Sequence, residues 1–294
     1  MLRPFDLEEP TTVAEASRLL ARYGDSAKIY AGGTELLLVM KEGLAHYERL
    51  ISIKKIPGLS GIQYDKAGLL RIGALTTHRS LETSALAREH FPAIAKMEHD
   101  VANVRVREVG TIGGNLCFAE PHADPGTLLL VFEARVKAEK ASGERIVPLR
   151  EFFSGAYATC LEPDEILTEI QVPSVPPHSQ AAYLKFGFLE RPSVGVAVAL
   201  TLSKDHKGVE GVRIAVGSTG PIPKRMPESE TLLKGKSVDE AFARVEEAGA
   251  LAARAADAIS DLHGGADYKE HLVKVLIAQA MRLAYQSLNG DSHK

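Results

Sequence analysis

Only two cysteines, Cys117 and Cys160, occur in the 294 residues. They lack CxxC spacing and a neighbouring ligand set, and an iron–sulfur cluster ordinarily needs four cysteine ligands. The chain is therefore expected to carry no cluster, and both thiols read as reduced and buried. An excess of one charge sign is also missing. The net charge is −3 with both signs scattered, which argues against a polyanionic partner such as nucleic acid. Long apolar runs are absent: the longest, Val194 to Leu202, is too short to span a bilayer. The start, Met1 to Asp6, has no apolar signal region. Together these absences predict a cytoplasmic protein. His78, His90, His99 and His122 do not fall in HxxxH or HExxH spacing, so no metal site is expected. No internal repeat or heptad seam occurs.

What is present is an ordinary globular composition, with 45% hydrophobic and 25% charged residues. The length suits two or three domains and a core that needs no disulfide or metal. Two glycine pairs, roughly eighty residues apart, carry the most information. The first is Ala31-Gly32-Gly33-Thr34-Glu35, between a strand-like run from Lys28 and a helix-like run over Leu36 to Lys41. The second is Thr111-Ile112-Gly113-Gly114-Asn115. Glycine admits positive φ and lets a ligand approach peptide N–H groups. An N–H-rich turn at a helix start favours phosphate. Neither pair is GxGxxG or GxxxxGK[ST], so neither a standard dinucleotide fold nor a P-loop is supported.

Around these motifs the pattern alternates. Thr12 and Glu15 have capping-box spacing before a helix that ends at Gly24. Strands are expected over Leu50 to Ile53 and Leu69 to Ala74, and helices over Ser80 to Arg88 and Ala93 to Val101. Arg105 and Arg107 alternate with Val104 and Val106, as on a half-exposed strand or loop. Asp124 before Pro125 predicts an N-cap for an apolar helix over Thr127 to Phe132. Strands Arg135 to Ala138 and Arg145 to Val147 pair across a turn, and Ile166 to Val172 is another strand. The proline-rich segment Pro173 to Ser179 reads as a linker. Beyond it come strands Ala182 to Phe186, Gly195 to Leu202 and Gly211 to Gly217, then helices Val238 to Leu262 and Tyr268 to Asn289.

Taken together the motifs resemble those of the FAD-binding medium subunit of the molybdenum hydroxylases, of the xanthine dehydrogenase and carbon monoxide dehydrogenase type. The resemblance rests on AGGTE, on TIGGN, on Ala119-Glu120-Pro121-His122-Ala123-Asp124, on Lys185-Phe186, and on Gly217 to Arg225 with its Pro221-Ile222-Pro223. It covers nearly the whole chain. It implies an α+β fold: a two-lobed PCMH-type FAD-binding domain over 1–173, with lobes of about 1–56 and 57–173, then a smaller α+β domain with an antiparallel sheet over 178–294.

The resemblance also implies the chemistry. Ala31, Gly32, Gly33, Thr34 and Glu35 match the loop that binds the FAD pyrophosphate. Thr111, Ile112, Gly113, Gly114 and Asn115 match a second loop on the dinucleotide. Asp124 matches a position touching FAD, Lys185 a lysine near the isoalloxazine, and Leu167 an apolar wall of the same site. Asp124 as a helix cap, Lys185 as a surface charge and Leu167 as core remain alternatives. No residue is expected to be catalytic in itself. The implied function is electron transfer through FAD, from [2Fe–2S] clusters on a small partner to a terminal acceptor, with substrate oxidised on a large molybdenum-cofactor partner. Such a heterotrimer is often doubled. The alternatives are a stand-alone FAD oxidoreductase using NAD(P)H or oxygen, and an assembly module without flavin. Two departures stand out. Arg107-Glu108 replaces an Arg-Asn pair, which puts one loop contact in doubt. The stretch Gly187 to Val194 reads as shortened, leaving the flavin more open or covered by Phe188.

Overall fold

The computed structural model describes residues 2–187 and 191–290. They form two compact units. The first takes the chain up to Ala119 together with Arg135–Val172; the second takes Glu120–Ala134 together with the chain from Pro173 onward.

The first unit begins with β1 (Asp6–Glu8), α1 (Val13–Tyr23), β2 (Ala27–Tyr30), α2 (Leu36–Lys41) and β3 (Arg49–Ser52). Thr12 caps α1 by accepting the Glu15 N–H at 3.1 Å, and Gly24 ends it at φ +50°. The three strands are parallel in the order β1-β3-β2. Ala16 and Leu20 of α1 are buried against Ala27, Ile51 and Ile53. Next come β4 (Ile62–Tyr64), β5 (Leu70–Gly73), α3 (His78–Thr83), α4 (Ala85–His90), α5 (Pro92–Asp100), α6 (Val104–Val109) and α7 (Ile112–Phe118). The segment holding Arg105 and Arg107 is thus a helix, not a strand or loop. Asn103 starts it by accepting the N–H groups of Arg105 and Val106.

The helix α8 (Pro125–Val131) follows in sequence but belongs to the second unit. The chain then returns with β6 (Arg135–Lys140), β7 (Gly143–Pro148), β8 (Phe153–Gly155), β9 (Ala158–Thr159) and β10 (Ile166–Val172). These complete an antiparallel sheet ordered β4-β5-β10-β6-β7 and a separate β8-β9 pair.

The second unit contains β11 (Ser179–Phe186), β12 (Val194–Leu202), β13 (Val209–Gly217) and β14 (Lys224–Arg225), antiparallel in that order. Its helices are α8, α9 (Pro227–Leu233), α10 (Val238–Ala243), α11 (Val245–Ala255) and α12 (Ala266–Leu288). Alternation along β12 explains its continuous apolar run, because both faces are covered. Val194, Val196, Val198, Leu200 and Leu202 join the core with α11 and α12. On the opposite face small residues admit α8. A Cβ on Gly217 would fall on the Thr127 hydroxyl, so this glycine sets how closely the helix approaches.

One sequence expectation is corrected below, and one segment packs away from its sequence neighbours: Glu120–Ala134 belongs to the second compact unit. Every residue of α8 is buried, and that apolar surface packs on β12 and β13 of the second unit. Arg213 and Arg225 donate to the carbonyls of Val131 and Leu130 and so close its C-terminal end. The helix expected over Val238 to Leu262 is two helices interrupted at Arg244 and ending at Ala255. Asp257, at φ +49°, cannot continue it. Among the described residues no helix is long and apolar enough to cross a membrane.

Candidate functional site

The two glycine pairs meet in the first unit. A Cβ on Gly32 would lie 2.3 Å from the Val109 carbonyl oxygen and 2.9 Å from the Gly110 Cα. A Cβ on Gly110 would lie 3.5 Å from the Thr34 hydroxyl, and one on Gly114 would lie 3.9 Å from the Ala31 Cβ. The first turn therefore leans directly on the backbone that leads into the second pair.

The two segments differ in what their N–H groups do. Thr111 caps α7, and the second pair lies in that helix's first turn. The Ile112 N–H donates to the Thr76 carbonyl, Gly113 to Ala74, Gly114 to the Thr111 hydroxyl and Asn115 to the Thr111 carbonyl, all at 2.9–3.1 Å. These donors are spent within the protein. Gly113 is glycine because its Cβ would stand 2.6 Å from the Ala74 carbonyl oxygen. In contrast, the N–H groups of Gly32, Gly33 and Thr34 meet no protein acceptor among the described residues. Gly33 holds φ +78°, in the left-handed region that anion-binding nests also use. The turn stands at the carboxyl end of β2, beside parallel β3, where open α/β sheets take ligands.

Behind the cradle lies a charged layer. His78 donates its N–H to the Gly110 carbonyl, and its Nδ1 lies 2.6 Å from Glu98. The Arg107 guanidinium, buried, donates to Glu82 at 3.0 Å and to the carbonyls of Val101 and Ala102. Burial would raise the Glu82 carboxyl, but hydrogen bonds from His99, Arg79 and Arg107 override it and hold it at about 2. Arg107 thereby fixes α6, which ends at Val109 with Gly110 as its C-cap. Glu108 is exposed and 3.6 Å from Arg79, so the loop is held by Arg107 and not by its neighbour. Cys117 and Cys160 are partly buried, not fully buried as expected; the desolvation that remains pushes the Cys117 thiol up to about 12 against the opposing charge of Lys28, so it stays protonated.

The second unit holds another buried group. The Asp124 carboxylate accepts from the Tyr183 hydroxyl at 2.8 Å and lies 3.1 Å from Lys185 Nζ. Tyr183 and Lys185 share one face of β11. A Cβ on Gly195 would come within 2.6 Å of the Tyr183 hydroxyl, so a bare strand position lets the ring lie flat and reach Asp124. Nearby, His122 Nδ1 lies 2.7 Å from the Pro192 carbonyl oxygen, and its Nε2 lies 3.1 Å from Asp261. Lys269, fully buried, donates to Asp261 at 2.6 Å.

The chain matches the family model described as the FAD binding domain in molybdopterin dehydrogenase over residues 3–175. It also matches the CO dehydrogenase flavoprotein C-terminal domain over 191–284. It belongs to the FAD-binding subunits of the molybdenum hydroxylases. The carbon monoxide dehydrogenase medium chain of Hydrogenophaga pseudoflava is 34% identical, covering 96% of this chain and 97% of its own length. The putative xanthine dehydrogenase FAD-binding subunit of Escherichia coli K12 is 31% identical over 74% of this chain and 75% of its own length. The solved carbon monoxide dehydrogenase of Hydrogenophaga pseudoflava aligns with a TM-score of 0.92 at 33% identity, covering 97% and 98%.

The residues of this FAD subunit fit the cofactor. Besides the open N–H groups, the Asn115 side-chain oxygen is buried and has no partner among the described residues. It is an acceptor waiting for a hydroxyl or N–H donor. Of the residues singled out from sequence, Ala31, Gly32, Gly33, Thr34, Thr111, Ile112, Gly113, Gly114 and Asn115 come together. Glu35 starts α2 without a side-chain cap bond. Leu167 is buried in β10, beside Thr168, whose carbonyl takes the Ala74 N–H behind Gly113. Asp124 and Lys185 meet in the second unit. Asp124 does not cap α8 through its side chain; Tyr183 and Lys185 hold that carboxylate instead. His122, considered as a cofactor contact, has both ring nitrogens engaged by protein. Phe188, considered as a cover for the flavin, lies outside the described residues. Sequence reasoning missed Tyr183, although its two-residue offset from Lys185 on a strand was the available signal. It also missed Arg107 as an anchor, because a helix was not foreseen there.

Proposed function

We propose that this chain is the electron-transfer subunit of a molybdenum hydroxylase assembly. It receives electrons from [2Fe–2S] clusters on a small partner and passes them to a terminal acceptor, while substrate is oxidised on a large molybdenum-cofactor partner. The assembly is a heterotrimer or its doubled form, in the cytoplasm. The observation that carries this reading is the open turn at Gly32, Gly33 and Thr34 in a chain of this family. Those N–H groups would hold the FAD diphosphate, with Thr34 and Glu35 at the start of α2. Asn115 would accept from the dinucleotide, and the helix of the second glycine pair would buttress the turn. Bound FAD supplies a redox centre that takes electrons singly and delivers them in pairs. Lys185 would place positive charge where the reduced ring gathers negative charge; Asp124 pairs with that ammonium, and the Tyr183 hydroxyl donates to Asp124. In the first unit, Leu167 would offer the cofactor an apolar wall.

Purification of the chain from its native extract tests the reading. We expect it to arrive with an iron–sulfur chain and a molybdenum chain, and with one FAD per copy. A solitary yellow chain that oxidises NAD(P)H by itself would favour the stand-alone oxidoreductase.

A further inference from the structure

We propose that Lys54 is a second holder of the dinucleotide's diphosphate, supplying the full positive charge that the neutral glycine turn lacks. The inference rests on the placement of FAD at that turn. Its starting point is the parallel pair β2 and β3, whose last register pair is Tyr30 with Ser52. Beyond Tyr30 the chain enters the glycine turn. Beyond Ser52 it enters a single 3₁₀ turn, Ile53–Lys55. Both segments therefore emerge side by side at the carboxyl ends of parallel strands, the position where such sheets bind ligands.

One aromatic ring joins them. A Cβ on Gly33 would lie 2.3 Å from Tyr30 Cε2 and 3.2 Å from both Cδ2 and Cζ. That pattern describes an approach to the rim of the ring, in its plane. Lys54 Nζ lies over the ring, 4.2 Å from its centroid. An ammonium on the ring face is held by the ring's quadrupole. The turn thus meets the rim of Tyr30 and the cation meets its face.

Charge bookkeeping singles out Lys54 from its neighbour. Lys55 is already paired with Glu9 at 2.8 Å. Lys54 has no carboxylate partner among the described residues. A diphosphate is a dianion, and backbone N–H donors carry no net charge to balance it. A lysine serves as a mobile point charge on phosphate oxygens. Tyr30 would then have two tasks, filling the space that Gly33 leaves and seating the ammonium.

The test uses the full-length chain freed of FAD, titrated with FAD at low and high salt, with ADP as competitor. Lys54→Met is expected to raise the FAD dissociation constant about tenfold, the scale of one lost charge-assisted contact, and to flatten its salt dependence. ADP, which presents a diphosphate on the same adenosine but with a free, more highly charged terminal phosphate, should weaken in the same direction. Lys54→Arg should recover most of the affinity, and Lys55→Met should behave as the parent. If Lys54→Met keeps the parent's affinity and salt dependence while Gly32→Ala loses FAD, the role of Lys54 is wrong and the placement stands. If both variants bind FAD as tightly as the parent, the placement falls with it. Equal losses in Lys54→Met and Lys55→Met would also overturn the proposal, since only a diffuse field would then be at work.

Discussion

The Gly32→Ala chain is expected to leave a gel-filtration column without flavin absorbance, while the parent stays yellow. The added methyl group would stand 2.3 Å from the Val109 oxygen and 2.9 Å from the Gly110 Cα. Both are backbone atoms, so the turn itself must move. Overpacking of this kind costs about 1–3 kcal/mol, and each 1.4 kcal/mol is about tenfold in affinity. A ten- to hundredfold loss, roughly, follows for a cofactor held by the displaced N–H groups. Gly33→Val should be at least as severe, because φ +78° excludes a branched side chain and the Tyr30 ring occupies the space. The second pair answers differently. Val at Gly114 would meet the Thr111 hydroxyl at 2.7 Å and break the cap of α7. Ala at Gly113 would meet the Ala74 backbone. There the melting temperature should fall first, with flavin loss as its consequence. Thermal unfolding without FAD separates the two cases.

Arg107→Ala is expected to destabilise the first unit by about 3 kcal/mol, the scale for breaking one side of a buried ion pair. The arginine holds Glu82 and two carbonyls at the mouth of α6. Its loss leaves a buried carboxylate with fewer donors. The effect should depend on pH with a definite sign. Glu82 titrates near 2 when folded, against an ordinary 4.5. Between those values the unfolded chain binds more protons, so stability rises with pH across that window. The contribution is complete above about 4.5 and fades as pH falls toward 2. Urea unfolding should therefore show the Arg107→Ala deficit in full at pH 7 and a smaller one at pH 3. A deficit that stays constant between them would remove Glu82 from the account.

Much of the site was legible in the sequence, because glycine marks positions that no other residue fills. The strand, turn and helix around Gly32 and Gly33 follow from local rules alone. Less local matters were hidden. The apolar run of α8 announces a buried helix, but nothing in its pattern says that it packs on a sheet whose strands lie some seventy residues later. Asp124 before Pro125 has every mark of a cap, yet tertiary contact with Tyr183 and Lys185 outcompetes the local hydrogen bond. The alternation of Val104 to Arg107 imitates a strand, and Asn103 decides for a helix by satisfying its first donors. Identical glycine pairs also conceal opposite duties. One keeps its donors open and the other spends them, a difference set by Thr76, Ala74 and Thr111.

Amide hydrogen exchange on the full chain, with and without FAD, is the most direct test of that division. The account predicts slowed exchange at Gly32, Gly33 and Thr34 when FAD is added, and slow exchange at Gly113, Gly114 and Asn115 already without it. New protection at the second segment, with none at the first, would contradict it.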